Sequence, residues 1–404
     1  MKAHSIKLIP EKCLGCTHCL RVCPVQAIRI RNKKAHINEN ICIDCGECVR
    51  ICPYNAHEII IDDTSIINNY SYKILIVPDV FWSQFPDLEP EEIIPLINYL
   101  GFNAIISDSI GFKLFEQQIE IFLSKKLNDN RTYIIPNCPA VVRLIFTRFP
   151  SLIPDIIPIK NTYEITSYFA KYYFENILNK KNIGIFLLST CSARVTSSKN
   201  PIGEKKSLID GTFSIKSFYN RIKSINNKNL TLDENFVFLY TNFRKNSILR
   251  KFNTLNITGT EYIIDTLDKL ESNQKFNLKI INPYSCILGC YNGILNVQNP
   301  YLARKLLRTK KFLYEPLEID INNIPFNVYL SENINLIKEE KNNENILEKL
   351  KKINKIEEIY KILPHLDCGG CGSPNCHSFA EDIVNENIDI NLCVFLNKGI
   401  PERK

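Results

Sequence analysis

No apolar run in this 404-residue chain approaches the ~18–20 residues that a membrane-crossing helix requires, so no span is expected. The opening Met-Lys-Ala-His-Ser-Ile-Lys carries charge but no apolar stretch, and a secretory signal is not expected either. Glycine is thin at 14 residues and forms no phosphate-cradling loop, which removes a nucleotide or flavin site from the expectations. No kinase, phosphatase or transcription-factor segment is evident, so any signalling output needs a separate partner. Lys and Arg give a formal net charge of +7, yet they are not gathered into one stripe, and nucleic acid is not an expected partner. The 45% apolar and 23% charged fractions are those of an ordinary globular chain, whose length points to two or three domains. The expected compartment is the cytosol. There thiols stay reduced, and clustered cysteine means metal rather than disulfide.

Cysteine is what the chain has in abundance, with sixteen residues. The pattern Cys-x2-Cys-x2-Cys-x3-Cys-Pro occurs twice, as CLGCTHCLRVCP and CIDCGECVRICP, the run of two-cluster bacterial ferredoxins. Three closely spaced thiolates wrap one corner of a 4Fe-4S cubane, and the fourth, followed by Pro24 or Pro53, reaches to the other cluster. The spacing therefore assigns Cys13, Cys16, Cys19 and Cys52 to one cluster and Cys42, Cys45, Cys48 and Cys23 to the other. Zinc sites use ligands in two pairs, not a triplet plus one repeated twice. Apolar segments at Ile28–Ile30 and Ile59–Ile61 read as strands flanking the motifs.

Beyond residue 62 the pattern changes. Lys73–Asp79, Phe102–Asp108, Thr132–Asn137 and Asn182–Thr190 are short β-rich runs, separated at first by helical segments at Pro90–Leu100 and Phe112–Leu127. Alternation of this kind predicts parallel βαβ units with strands buried on both faces. Asn343–Leu363 has apolar residues at helical spacing and leads into LDCGGCGSPNCHSF. Cys368, Cys371, Cys376 and Cys393 supply four more thiolates, for iron–sulfur or, since two of the gaps would suit it, zinc. The expected fold class is α/β in three parts. These are a small ferredoxin-like α+β domain (1–62), a central α/β domain with parallel sheets (72–340) and a small helical four-cysteine domain (343–404). His18, His57 and His377 lie near cysteine motifs and read as exposed loop residues, with tuning of a cluster as the sharper option. Phe81 and Trp82 read as core or site wall.

Four cysteines remain: Cys138, Cys191, Cys286 and Cys290. A lone cysteine is usually a small buried hydrophobe. Cys138, Cys191 and Cys286, however, each follow a candidate strand, and in open α/β sheets ligands gather beyond the carboxyl ends of strands. One helical turn would place Cys286 and Cys290 on the same side. From spacing, a shared metal centre and separate buried thiols both stay open.

The chain resembles the iron-only (di-iron) hydrogenases, in particular the bacterial subgroup described as sensory. The likeness lies in the domain order and in CPAVVRLIFTRFPSLIPDIIPIK at 138–160, STCSARVTSSKNPIG at 189–203, and CILGC followed by NPYLARKLL. The resemblance implies a central cubane on Cys138, Cys191, Cys286 and Cys290, with Cys290 bridging to a di-iron unit that carries CO and cyanide. It makes Cys290 and Arg194 the residues at the catalytic metal, Arg194 standing where the family has a Lys. It also implies electron exchange with an external redox protein, interconversion of H2 with protons and electrons, and an anaerobic setting. The chain departs from the family in several places. Asn137 replaces a proton-relaying cysteine, Tyr284 and Ser189 stand where catalytic members have Met, and Ile287-Leu288-Gly289 and Tyr291-Asn292-Gly293 replace glycine runs. These side chains are expected to crowd the di-iron space. The alternative is a catalytically silent multi-cluster electron carrier or redox sensor. A scaffold in iron–sulfur assembly, the role of eukaryotic relatives, fits less well with eight ferredoxin cysteines.

Overall fold

The computed structural model describes residues 4–126, 129–225, 230–241, 251–272, 274, 276–319, 324–332 and 346–396. They fall into two units, one from Met1–Ser5, Ile43–Cys45 and Ile60–Asn335, the other from Ile6–Cys42, Gly46–Ile59 and Leu336–Lys404. The second, smaller unit thus takes residues from both sides of the first.

Its first half contains β1 (Ile6–Leu8), α1 (His18–Val22), β2 (Ile28–Arg31), β3 (Lys34–Ile37), α2 (Glu47–Ile51) and β4 (His57–Ile59). β1 pairs antiparallel with β4, and β2 with β3. The β2–β3 turn places Asn32 and Lys33 at φ of 50° and 60°, a two-residue turn whose twist suits a hairpin. The strand expected at Ile59–Ile61 is corrected to His57–Ile59, because its register sets His57 opposite Leu8 and Ile59 opposite Ile6. That shift carries His57 into the interior.

The larger unit runs β5 (Tyr72–Val77), α3 (Pro90–Tyr99), β6 (Ala104–Ser107), α4 (Ser109–Ser124), β7 (Tyr133–Ile134), α5 (Pro139–Arg148), α6 (Thr162–Tyr172), β8 (Ile183–Ser189), α7 (Ser192–Lys199), β9 (Gly211–Ser214), α8 (Ile215–Ser224), β10 (Val237–Leu239), β11 (Thr254–Thr258), α9 (Thr260–Glu271), β12 (Ile280–Tyr284) and α10 (Pro300–Thr309). Among the described residues it holds two parallel sheets, ordered β10-β6-β5-β8-β9 and β11-β12-β7. Every side chain of Ile74–Val77 is out of solvent. Ile74 and Ile76 join one apolar cluster with α4 and α6, whereas Leu75 and Val77 join another with α3 and α8. Alternation of side chains across the strand explains the division, as a parallel sheet covered on both faces requires. α3 starts at Pro90 behind a reciprocal cap between Glu89 and Glu92. α4 begins three residues earlier than expected, and Leu127 lies outside the described residues. Phe81 and Trp82 are fully buried core, packed edge to face on one another.

One buried acid in this unit gives stability a pH dependence. Glu164 of α6 accepts from the Ser207 hydroxyl at 2.7 Å, and Lys160, Glu204 and Tyr168 also face it. Burial raises its pKa to about 7, against the Ser207 bond, which lowers it. A raised carboxyl pKa means the folded state holds the proton more tightly. Its contribution is therefore full at low pH and is lost as pH rises from the ordinary carboxylate range through about 7. Glu164→Gln should flatten that part of the stability curve, read as the denaturation midpoint against pH.

The second half of the smaller unit contains α11 (Ile346–Ile362) and α12 (Cys376–Glu386). Residues 343–345 of the expected helix lie outside the described residues. Ile356, Ile359 and Tyr360 of α11 pack with buried Leu363, Phe379 and Ala380. Here too the spacing i, i+3, i+4 finds its core.

Candidate metal centres

The two ferredoxin motifs build the same local device twice. α1 starts after Thr17 at φ 68° and α2 after Gly46 at φ 86°, and each helix ends at an extended cysteine, Cys23 or Cys52. The next turn aims a backbone N–H at each sulfur: Ala27 reaches Cys23 Sγ at 3.2 Å, and Ala56 reaches Cys52 Sγ at 3.3 Å. Donors of this kind favour a thiolate. Cys13, Cys16, Cys19 and Cys52 line one cavity together with Gly15, Ile30 and His57. The Cys19 thiol is pushed up to about 11 by burial and by Cys13 and Cys16 beside it, with a smaller push from Cys52. A bound, positively charged iron–sulfur core would relieve the cost of ionising the Cys19 thiol. Cys48 sits on α2 and is buried, and Cys42 and Cys45 are in the loop before it.

The histidines separate. His57 is 4% exposed, not a solvent-facing loop residue as expected, and burial lowers its pKa. His18 is exposed, with Nδ1 3.1 Å from Cys16 Sγ. His377 is exposed beside Glu381.

In the four-cysteine segment burial raises the Cys371 thiol, and Cys393 and Cys368 add to the effect. Cys376 opens α12 and donates its N–H to Asp367 Oδ1 at 2.7 Å. Gly370 N–H points to Cys368 Sγ at 3.4 Å.

The central cysteines sit beyond strand ends. Cys138 caps α5 after β7, Cys191 caps α7 after β8, and Cys286 follows β12. The single helical turn expected from Cys286 to Cys290 is not there. Leu288 and Gly289 take left-handed φ values of 64° and 63°, and Cys290 lies in a short 3-10 turn over Gly289–Asn292. Burial pushes the Cys138 thiol up to about 11, Cys191 and Cys290 adding repulsion, while N–H groups of Ser285 and Val141 oppose it. Cys290 is also raised, by burial first, against the pull of Arg194. Gly293 closes the turn; a Cβ there would stand 2.2 Å from Thr190 O, next to Cys191.

Arg194 is 2% exposed and reaches three groups. Its Nη2 lies 3.6 Å from Cys290 Sγ, its Nη1 pairs with Asp108 Oδ2 at 3.3 Å, and its guanidinium sits over the Tyr163 ring. Burial alone would lower its pKa, but Cys290 and Asp108 hold it well above the usual value. Asn137 Nδ2 donates to the Tyr284 hydroxyl at 2.9 Å, and Tyr284 is close enough to feel both Cys290 and Cys138. Ile287 is 53% exposed and does not crowd this space as expected, whereas Tyr284 lies near Cys290 and Cys138. Asp108 was not singled out in the sequence. The signal was available, since it is the first residue after β6 and obeys the same strand-end rule as the cysteines.

Asp44, between Cys42 and Cys45, is the other residue missed. It is fully buried, accepts from Arg143 Nη1 at 3.0 Å and sits 2.7 Å from His4 Nδ1; the Ser192 hydroxyl donates to its backbone O at 2.6 Å.

Residues 77–238 match the family model "Iron only hydrogenase large subunit, C-terminal domain", residues 12–56 match "4Fe-4S dicluster domain", and residues 363–395 match "Putative Fe-S cluster". Among solved structures, an [FeFe]-hydrogenase studied for oxygen inactivation of its H cluster aligns at 12% identity and TM-score 0.49, over 63% of this chain and 87% of its own. The hydrogenase HydA1 from Chlamydomonas reinhardtii aligns at 11% identity and TM-score 0.47, over 58% and 83%. No curated protein matches. Among the described residues no helix is long and apolar enough to cross a membrane. The chain thus joins mixed α/β layers with parallel sheets, in a stretch similar to the iron-only hydrogenase large subunit, to cysteine-rich stretches on either side in sequence that are similar to iron–sulfur units, the first of the 4Fe-4S dicluster kind.

Proposed function

We propose that the chain is a multi-cluster electron carrier or redox sensor whose central quartet, Cys138, Cys191, Cys286 and Cys290, holds a cubane without a di-iron unit. The observation that carries this reading is Arg194 donating to Cys290 Sγ while bound to Asp108. The sulfur that would bridge to two further irons is already engaged by a buried guanidinium, and the Asn137–Tyr284 pair stands beside it. Cys138, Cys191 and Cys290 lie within electrostatic reach of one another and Cys286 follows the end of β12, a set that suits a cubane, as thiolates select iron–sulfur clusters. A bound cubane supplies one-electron storage; the chain's own groups hold it, exclude water and offset its charge. Two ferredoxin clusters, one C-terminal and one central then serve exchange with a soluble redox protein in the cytosol.

A second reading keeps the di-iron unit with CO and cyanide and makes the chain a slow or H2-sensing hydrogenase. It is favoured by one fact, that Arg194 preserves a buried cation where the family carries Lys. Infrared spectra of protein matured without oxygen decide between the two. The proposal expects about 16 iron per chain and no bands from metal-bound CO or cyanide; such bands with about 18 iron would replace it with the second reading.

A further inference from the structure

The four-cysteine segment is fastened to the ferredoxin-like half of the smaller unit by residues some 350 positions away in sequence. Asp382 of α12 is 4% exposed and accepts from Arg29 Nε and Arg31 Nη2, each at 2.7 Å. Ile30 N–H donates to Gly372 O at 2.8 Å, and Arg31 Nη1 donates to the same oxygen at 3.0 Å. Gly372 has φ +83°, and a Cβ there would stand 2.1 Å from Ile30 O. The loop between Cys371 and Cys376 therefore rests on β2, backbone against backbone. At its other side Arg21 of α1 donates to Cys368 O at 3.3 Å, and Gly369 lies against Leu20. Leu20 and Arg21 directly follow Cys19, one of the four cysteines lining the first cavity.

We propose that this docking makes the C-terminal cluster the direct exchange partner of the first ferredoxin cluster, a relay across the contact between α1 and the Cys368 loop. The inference rests on the cluster assignments above. In the step, one cubane loses an electron and the other gains it; no bond forms or breaks and no proton is transferred. Buried Asp382, held by two guanidiniums, fixes the distance between the two sites. The clamp is a positioning device.

The test uses the whole reconstituted protein, reduced with dithionite and followed by EPR. Cys371→Ser with Cys393→Ser should remove about four iron and abolish one component of spin–spin splitting in the ferredoxin signals. Asp382→Asn and Gly372→Ala should each keep the full iron content and lose the same component. Ferredoxin line shapes and relaxation that stay unchanged after the double substitution, with iron reduced, would overturn the relay. Iron that does not fall would overturn the C-terminal cluster itself, a separate failure. Splitting retained by fully loaded Asp382→Asn and Gly372→Ala would remove the clamp from the proposal. If either variant fails to load, the double substitution still decides the relay.

Discussion

Cys290→Ala is expected to strip about four iron from each chain while the ferredoxin absorbance and EPR signals persist. Cys290 is held in place by the left-handed Leu288–Gly289 step and by Gly293, which only a residue without Cβ can fill against Thr190 O. A cubane held there would be left with three cysteine ligands and one open corner, and its loss is the expected outcome. Arg194 keeps Asp108 as its partner in the variant, so the fold should survive and far-ultraviolet circular dichroism should not change. An unchanged iron count would show that Cys290 is not a ligand.

Asp44→Ala should destabilise the protein by about 3–5 kcal/mol, because it leaves Arg143 buried and unpaired. Asp44 is fully enclosed and Arg143 is 8% exposed, so water cannot readily take over. Asp265→Ala provides the contrast. Its partner is Lys269 one helical turn away in solvent, and loss of such a pair should cost no more than about 0.5 kcal/mol. Denaturant midpoints of the two variants, measured side by side, check the difference. A shift for Asp44→Ala no larger than for Asp265→Ala would mean that the buried pair contributes nothing net.

The strand-end rule found Cys138, Cys191 and Cys286 without any structure, because parallel strands announce themselves as short continuous apolar runs. The same rule reached Asp108 and was not applied to it. Turn geometry was not legible. A helix-like spacing between Cys286 and Cys290 hides two successive left-handed residues, the first of them a leucine, and leucine carries no signal for that conformation. The burial of His57 was also hidden, since the strand starts two residues before its apolar run and so takes a histidine into the pairing opposite Leu8. Least legible was the pairing of Arg29 and Arg31 with Asp382. Each looks like an ordinary surface charge in its own segment, and only the folded chain brings them together.

The smaller unit is interrupted by Ile60–Asn335, a stretch of 276 residues counted from its bounds. During synthesis at 5–20 residues per second, roughly 15–55 s separate the emergence of Ile59 from that of Leu336. Over that interval β2 presents an unpaired Ile30 N–H, and Arg29 and Arg31 have no Asp382. The four-cysteine segment is therefore made last of the smaller unit's parts, and only then can it close over β2.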